Sequence, residues 1–357
     1  MKKKWIVIPA LLVPAVAGVL AATPPERDMP AQHLGPKVVV DRALRQQTID
    51  ALVAKLNDHY VFPDKAKAAA AALRQRQSEG KYDAITDGGQ LARQLTEDIE
   101  RVAHDKHLQV GFEPDQVPPD PVGPPPQSLA DFERIVPLAV RQQIGASNLG
   151  VEKVDHLSPN IGYLALSQFP PHFLMAGKYA AAMDRLADTD GLIVDLRGNG
   201  GGFPETVVLL ASYFVDQRTR LNDMWDRTTN VTKQHWTLDK LDGKRYGGKK
   251  PVVILTGPGT MSAGEDFAYT MQAMKRATVI GERTWGGAHP ARPYRLGEHF
   301  FAVIPDARPI NPVTHADWEG TGVTPDIQAP PDKALAAAKD LLQRRLREAA
   351  PAVTAQR

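Results

Sequence analysis

Residues 251–282 read PVVILTGPGTMSAGEDFAYTMQAMKRATVIGE, and the order of residue types in that stretch decides the fold. Val252-Val253-Ile254-Leu255 is an apolar, β-branched run of strand length. Gly257-Pro258-Gly259 forces a turn. A helical pattern opens at Ser262 and carries Phe267, Met271 and Met274, and Thr278-Val279-Ile280 supplies a second strand ending at Gly281. Ser262 therefore stands at a strand–turn–helix junction, where backbone N–H groups lack intrahelical partners and the helix dipole is positive. Two readings fit. Ser262-Ala263-Gly264-Glu265 has the form of a capping box, with Glu265 reaching back to the Ser262 amide. Acyl-transfer enzymes also place a nucleophile and an oxyanion hole at such a junction. The hydrolase elbow G-x-S-x-G is not matched, because Thr260 stands where its first glycine belongs.

Upstream of this stretch the pattern alternates. A strand over Gly162–Leu166, a helix over about Leu174–Leu186, a strand over Leu192–Leu196, a glycine loop and a helix over Pro204–Val215 follow one another. Polar, aromatic-containing segments fill Leu221–Leu238, short strands run from Arg292 to Ile304, and a charged Ala/Leu-rich helix spans Asp332 to about Ala349. Alternating strands and helices predict an α/β domain with a largely parallel inner sheet, over residues 128–350. A helix over about Leu129–Gln143 leads into it. Residues 38–113 read differently: Ile49, Leu52, Val53 and Leu56, then Ala66–Leu73, then Leu91–Val102 recur at helical spacing, predicting a small N-terminal helical bundle. Between the two, residues 114–127 form a Pro-rich linker.

The composition excludes some functions. The 357 residues carry a net charge of +2, which gives no reason to expect nucleic acid or an anionic membrane as partner. Residues 1–22 read as a signal peptide: Met1-Lys2-Lys3-Lys4, an apolar run from Trp5 to Leu20, and small residues for cleavage near Ala21 or Ala22. The run contains Pro9 and Pro14 and is short for a membrane span. Export to a periplasmic or extracellular space is expected, with residues 23–37 as a flexible lead-in. The chain has no cysteine, so its core alone must hold it.

A serine needs partners. Asp195-Leu196-Arg197-Gly198-Asn199-Gly200-Gly201-Gly202 follows a buried-type strand and precedes a helix, where glycines bring bare N–H groups close to a ligand. It matches neither the Walker loop nor G-x-G-x-x-G with its distal acid, so no nucleotide cofactor is expected. A tight glycine turn is the alternative. Read alone, His107 is a titratable ring where the helical region turns extended. His104 three residues earlier makes a His-x-x-His metal pair its rival, but no third ligand is evident in the sequence. His289 and His315 have no assigned part.

The runs DLRGNGGG (195–202), SAGEDF (262–267) and GERTWGG (281–287), with YVFPDKA (60–66), DKHL (105–108) and WEGTGVTPDI (318–327), resemble the tail-specific (C-terminal-processing) serine protease family. Within it they are most similar to bacterial relatives of interphotoreceptor retinoid-binding protein. The resemblance implies a crotonase-like (ClpP/crotonase-type) core with Ser262 as nucleophile. The processing proteases carry a lysine base in a T-F-G-K-G run. Here that run is Thr284-Trp285-Gly286-Gly287-Ala288, so Gly287 takes the lysine's place and a Ser–Lys dyad is excluded there. Residues 112–160 are too few for a PDZ module. The retinoid-protein-like and tricorn-like branches imply a histidine base, which maps onto His107. They also imply an orienting glutamate, which maps less closely onto Glu319 because Gly320-Thr321 intervene before Gly322. Lys106, not a serine, precedes His107, and Asp105 is another candidate orienter. The oxyanion hole would join the N–H of Ala263 to that of Gly200 or Gly201. Arg197 is expected to brace the glycine loop. The expectation is an exported serine peptidase acting on a peptide or protein, with no metal or cofactor. The alternatives are a non-catalytic binder of apolar retinoid- or fatty-acid-type ligands and an esterase using the same site.

Overall fold

The computed structural model describes residues 38–119, 126, 128–136, 138–145 and 148–349. The expected signal peptide and lead-in lie outside the described residues, as do positions 120–125 and 127 of the linker. The chain forms two compact units. Among the described residues, the smaller comprises 38–119 together with 224–233 and 289–309; the larger comprises those within 126–223, 234–288 and 310–349.

The smaller unit starts as three helices, α1 (Arg42–His59), α2 (Pro63–Ser78) and α3 (Gly88–Ala103). Asp41 caps α1 by accepting the Leu44 N–H at 2.8 Å, and Asp87 caps α3 through the Gln90 N–H at 2.7 Å. Proline at the first position starts α2, where its missing N–H costs nothing. Ile49, Leu52, Leu56, Ala66, Leu73, Leu91, Leu95 and Ile99 form the core, as their helical spacing predicts. Asp98, buried on α3, accepts from Arg76 at 2.6 Å, Tyr82 at 2.8 Å and Arg101 at 3.0 Å, so the charge is compensated.

After α3 the chain enters β1 (Gln109–Phe112). The strand pairs antiparallel with Phe300–Pro305, which pairs in turn with Ala291–Arg295. The expected bundle over 38–113 is therefore incomplete by itself: Leu296, Phe300, Ala302 and Ile304 are buried in the same core as the helices. Those short strands belong with the N-terminal unit and not with the 128–350 domain. Sequence proximity misassigned them because pairing partners 190 positions apart leave no local signal.

The segment read as one helix over Leu129–Gln143 is two, α4 (Leu129–Ile135) and α5 (Leu138–Gly145). Val136 is extended, at φ −93° and ψ 126°, as the residue before Pro137 is bound to be. The larger unit's sheet then takes β2 (Val151–Ser158), β3 (Ile161–Leu166) and, after α6 (His172–Leu186), β4 (Gly191–Asp195). Next come α7 (Pro204–Ala211) with a 3-10 turn over Ser212–Phe214, and two short strands β5 (Asp223–Asp226) and β6 (Val231–Lys233) in the segment read only as polar. The sheet resumes with β7 (Val252–Thr256), α8 (Ala263–Ala273) and β8 (Thr278–Gly281). The strands already paired with β1 are β9 (Ala291–Arg295) and β10 (Phe300–Pro305), followed by β11 (Ala307–Ile310), β12 (Ile327–Gln328) and α9 (Pro331–Ala349).

Strand order in the large sheet is β12-β8-β7-β4-β3-β2. Every neighbouring pair is parallel except β2–β3. The fold is mixed α/β with a parallel inner sheet, and the antiparallel edge strand β2 is an element absent from the sequence reading. All five residues of β4 and of β7 are buried, as for strands covered on both faces. Alternation divides them. Leu192, Val194, Val252 and Ile254 pack with Tyr179, Met183, Leu210, Phe267 and Met271 from α6, α7 and α8. Ile193, Val253, Leu255 and Ile280 pack instead with Ala334, Ala338 and Leu342 of α9.

Candidate active site

The parallel register sets Asp195 beside Leu255, so the loops leaving β4 and β7 emerge side by side at the carboxyl edge of the sheet. They are stitched together. Leu196 N–H donates to Leu255 O at 2.9 Å, the Thr260 hydroxyl to Leu196 O at 2.7 Å, and Met261 N–H to Asn199 O at 2.8 Å. Thr260, which breaks the G-x-S-x-G pattern, is thus a fully buried cross-brace whose hydroxyl also accepts the Gly257 N–H.

Ser262 follows directly, with φ 48° and ψ −117°. An ordinary N-cap serine is extended. A non-glycine residue at positive φ carries strain of about 1–3 kcal/mol. The glycine loop approaches it so closely that a Cβ on Gly201, itself at φ +92°, would lie 2.8 Å from the Ser262 Cβ and 3.0 Å from Met261 O. The expected convergence of these two loops is what the structure has.

The amides expected to serve as oxyanion donors are used differently from the expectation. Gly200 N–H donates to Ser167 O at 2.9 Å, and Gly201 N–H donates to the buried Asn199 Oδ1 at 2.9 Å. Both glycine amides are committed within the protein, and this corrects their assignment as open donors. Gly202 N–H has no such acceptor among the described residues. Ala263 is the first residue of α8, where the N–H has no intrahelical partner. Arg197 braces the loop as expected, donating to Asp195 at 2.6 Å and to Pro331 O at 2.6 Å.

Glu265 does far more than a capping box requires. Its carboxylate is fully buried and accepts the Ser262 N–H at 2.9 Å and the Gly287 N–H at 3.0 Å on Oε2. On Oε1 it accepts the Gly286 N–H at 2.6 Å and the Thr284 hydroxyl at 2.5 Å. Burial pushes its pKa up, and these four hydrogen bonds pull it back. The position expected for a lysine base, Gly287, therefore holds a backbone donor to Glu265. Glu319 accepts the Ala288 N–H at 2.5 Å on Oε2, which fixes it to the same segment. The next residue of α8, Asp266, accepts from Asn222 at 2.6 Å, and burial raises its pKa to about 6.

Ser262, Ala263, Gly200, Gly201 and Glu319 all belong to the larger unit, and His107 to the smaller. His107 sits just before β1, with its ring Nδ1 buried. Burial holds its pKa down to about 4; the Asp105 carboxylate opposes that and His289 adds to it. Asp105, itself buried, accepts the His107 backbone N–H at 3.1 Å, the Tyr60 hydroxyl at 3.1 Å and His289 Nδ1 at 2.8 Å. Asp105, the alternative candidate orienter, thus holds the backbone of His107, and its ring partner is His289, a residue without an assigned part in the sequence. His104 is exposed and ends α3 in the left-handed conformation, at φ 53°.

Residues 160–329 match peptidase family S41, and residues 37–139 match the N-terminal domain of peptidase S41 in eukaryotic IRBP. Among curated proteins, the chain is 28% identical to the tricorn protease of Thermoplasma volcanium over 49% of its own length and 15% of that protein's. It is 27% identical to the carboxyl-terminal-processing protease of Synechocystis over 57% of its own length and 48% of that protein's. The chain thus spans less than half the length of both. In structure it is similar to a crystal structure of the tricorn protease, with a TM-score of 0.51 at 15% identity, covering 84% of this chain and 37% of that one, a likeness of fold alone.

Proposed function

We propose, from the S41 match of its core, that this chain is a serine-type peptidase working through an acyl-enzyme on Ser262. The observation that carries the reading is the strained Ser262 backbone at the β7–α8 junction, pressed against the glycine loop. Ser262 Oγ attacks the scissile carbonyl carbon and its proton passes to His107. The resulting oxyanion is met by the Ala263 N–H and by the remaining open amide of the glycine loop, that of Gly202. Collapse expels the amine, which takes the proton back from His107, and water then hydrolyses the ester by the same steps in reverse roles. The His107 ring is neutral at pH 7 and can accept a proton, although burial, which holds its pKa down to about 4, makes it a weaker base than a free imidazole. Glu319 is the proposed orienting carboxylate. The core is read as crotonase-like without a PDZ module, and the protein as exported.

Reaction with a fluorophosphonate, followed by peptide mass mapping, tests this. The adduct is expected on Ser262, lost in Ser262→Ala, and strongly slowed in His107→Ala. Absence of an adduct on the native protein, with saturable fluorescence changes on adding retinol or a fatty acid, would replace the hydrolase with a binder. Turnover of esters but of no peptide would make it an esterase.

A further inference from the structure

Glu265 and the segment that it holds have a part beyond capping α8. Residues 284–288 form a strap bonded along both edges. On one edge Thr284, Gly286 and Gly287 donate to Glu265, and the Trp285 N–H donates to Thr260 O at 3.1 Å. On the other edge Trp318 Nε1 donates to Gly287 O at 2.9 Å and Gly320 N–H to Gly286 O at 2.9 Å, while Val323 N–H donates to the Thr284 hydroxyl at 2.7 Å. A capping-box carboxylate normally satisfies one N–H at the helix surface. This one is fully buried, and each oxygen takes two donors, all of them neutral. Only one of the four is the Ser262 N–H, so the strap is what fixes the carboxylate that fixes the serine.

We propose that Glu265 is a positioning residue for the nucleophile, with the 284–288 strap as its anchor. It holds the Ser262 backbone in its left-handed setting, which determines where Oγ and the Ala263 N–H point. The inference rests on Ser262 being the nucleophile. A displacement of about 1 Å at a reacting atom costs on the order of 100-fold in rate. A purely structural carboxylate would change stability and leave the reactivity of each folded molecule alone.

Fluorophosphonate labelling rates, measured well below the melting temperature and divided by the folded fraction from circular dichroism, separate the two. Glu265→Gln, which has one acceptor oxygen where the site needs two, is expected to label about 10-fold more slowly, and Glu265→Leu about 100-fold. With a turnover substrate, kcat falls and KM is retained. Thr284→Val, which removes one anchor without touching Ser262, is expected to slow labelling about threefold. Wild-type rates in the folded Glu265 variants overturn the proposal; should neither fold, a wild-type rate in Thr284→Val does so. Failure of the wild-type protein to label would instead overturn the assignment of Ser262 itself.

Discussion

The titration of His107 gives a prediction that can be worked to a magnitude. A free imidazole titrates near pH 6.5, and burial holds this one to about 4, a difference of about 2.5 units. At 1.36 kcal/mol per unit that corresponds to about 3 kcal/mol of linkage. The folded protein prefers the neutral ring, so as pH falls below about 6.5 the unfolded chain takes up the proton first. The contribution is fully present above pH 6.5, erodes between 6.5 and about 4, and is gone below that. The Asp105 carboxylate and His289 act electrostatically on the same ring, so the wild-type curve alone does not isolate it. The difference between wild type and His107→Gln does. Urea denaturation of both at pH 7.5, 6.0, 5.0 and 4.5 should show the wild type losing up to about 3 kcal/mol relative to the variant. The acid limb of the wild-type labelling rate should likewise lie near pH 4 and not near 6.5. A stability difference that stays constant across this range, with an acid limb at 6.5, would refute the claim that burial keeps the ring neutral.

Two further substitutions test the larger unit. Gly201→Ala puts a side chain at φ +92° against Ser262, and left-handed strain plus overpacking should cost about 2–4 kcal/mol in urea unfolding, with slower labelling of Ser262. Asp266, with its pKa raised to about 6 by burial, favours the fold when protonated, so its contribution of about 3 kcal/mol is present below pH 3.8 and lost as pH rises through 6. Asp266→Asn keeps an acceptor for Asn222 and should be the more stable form at pH 8, with the gain vanishing at pH 4; denaturant midpoints at the two pH values check it.

The elements that the sequence made legible are those whose period is uninterrupted. Ile49, Leu52 and Leu56 on α1, and the four apolar residues of β7, are buried where their spacing puts them. Long-range pairing was not legible. Phe300, Ala302 and Ile304 alternate as a strand in any sheet would, and nothing local says that their partner is β1. The single helix over 129–143 failed at one residue, because the restriction that Pro137 places on Val136 outweighs the apolar spacing on either side. At the site, residue types pointed to Ser262 and the glycine loop, but the use of each amide did not follow from composition. Gly200, Gly201 and Gly202 are identical letters, and only the register of the loop against Ser167 and Asn199 distinguishes them. Glu265 was legible as a cap, while its burial depends on the strap arriving from residues 284–288.

The two readings of Ser262, cap and nucleophile, make different demands on the backbone. A cap needs an extended residue whose hydroxyl faces the second or third N–H, and any chain can supply one without strain. Ser262 instead sits at φ 48° and ψ −117°, at a cost of about 1–3 kcal/mol. Helix α8 has no need of that cost, since Glu265 already satisfies the Ser262 N–H and the rest of α8 is buried against the sheet. The cost is maintained by a buried carboxylate with four donors and by a strap in which glycine stands where the family likeness places a lysine. An elaborate support under one strained residue is the arrangement expected when that residue's direction matters to a reaction. On the proposed reading, with no lysine on the strap, the strap aims the serine and the proton goes to a base carried elsewhere, for which His107 is the neutral candidate.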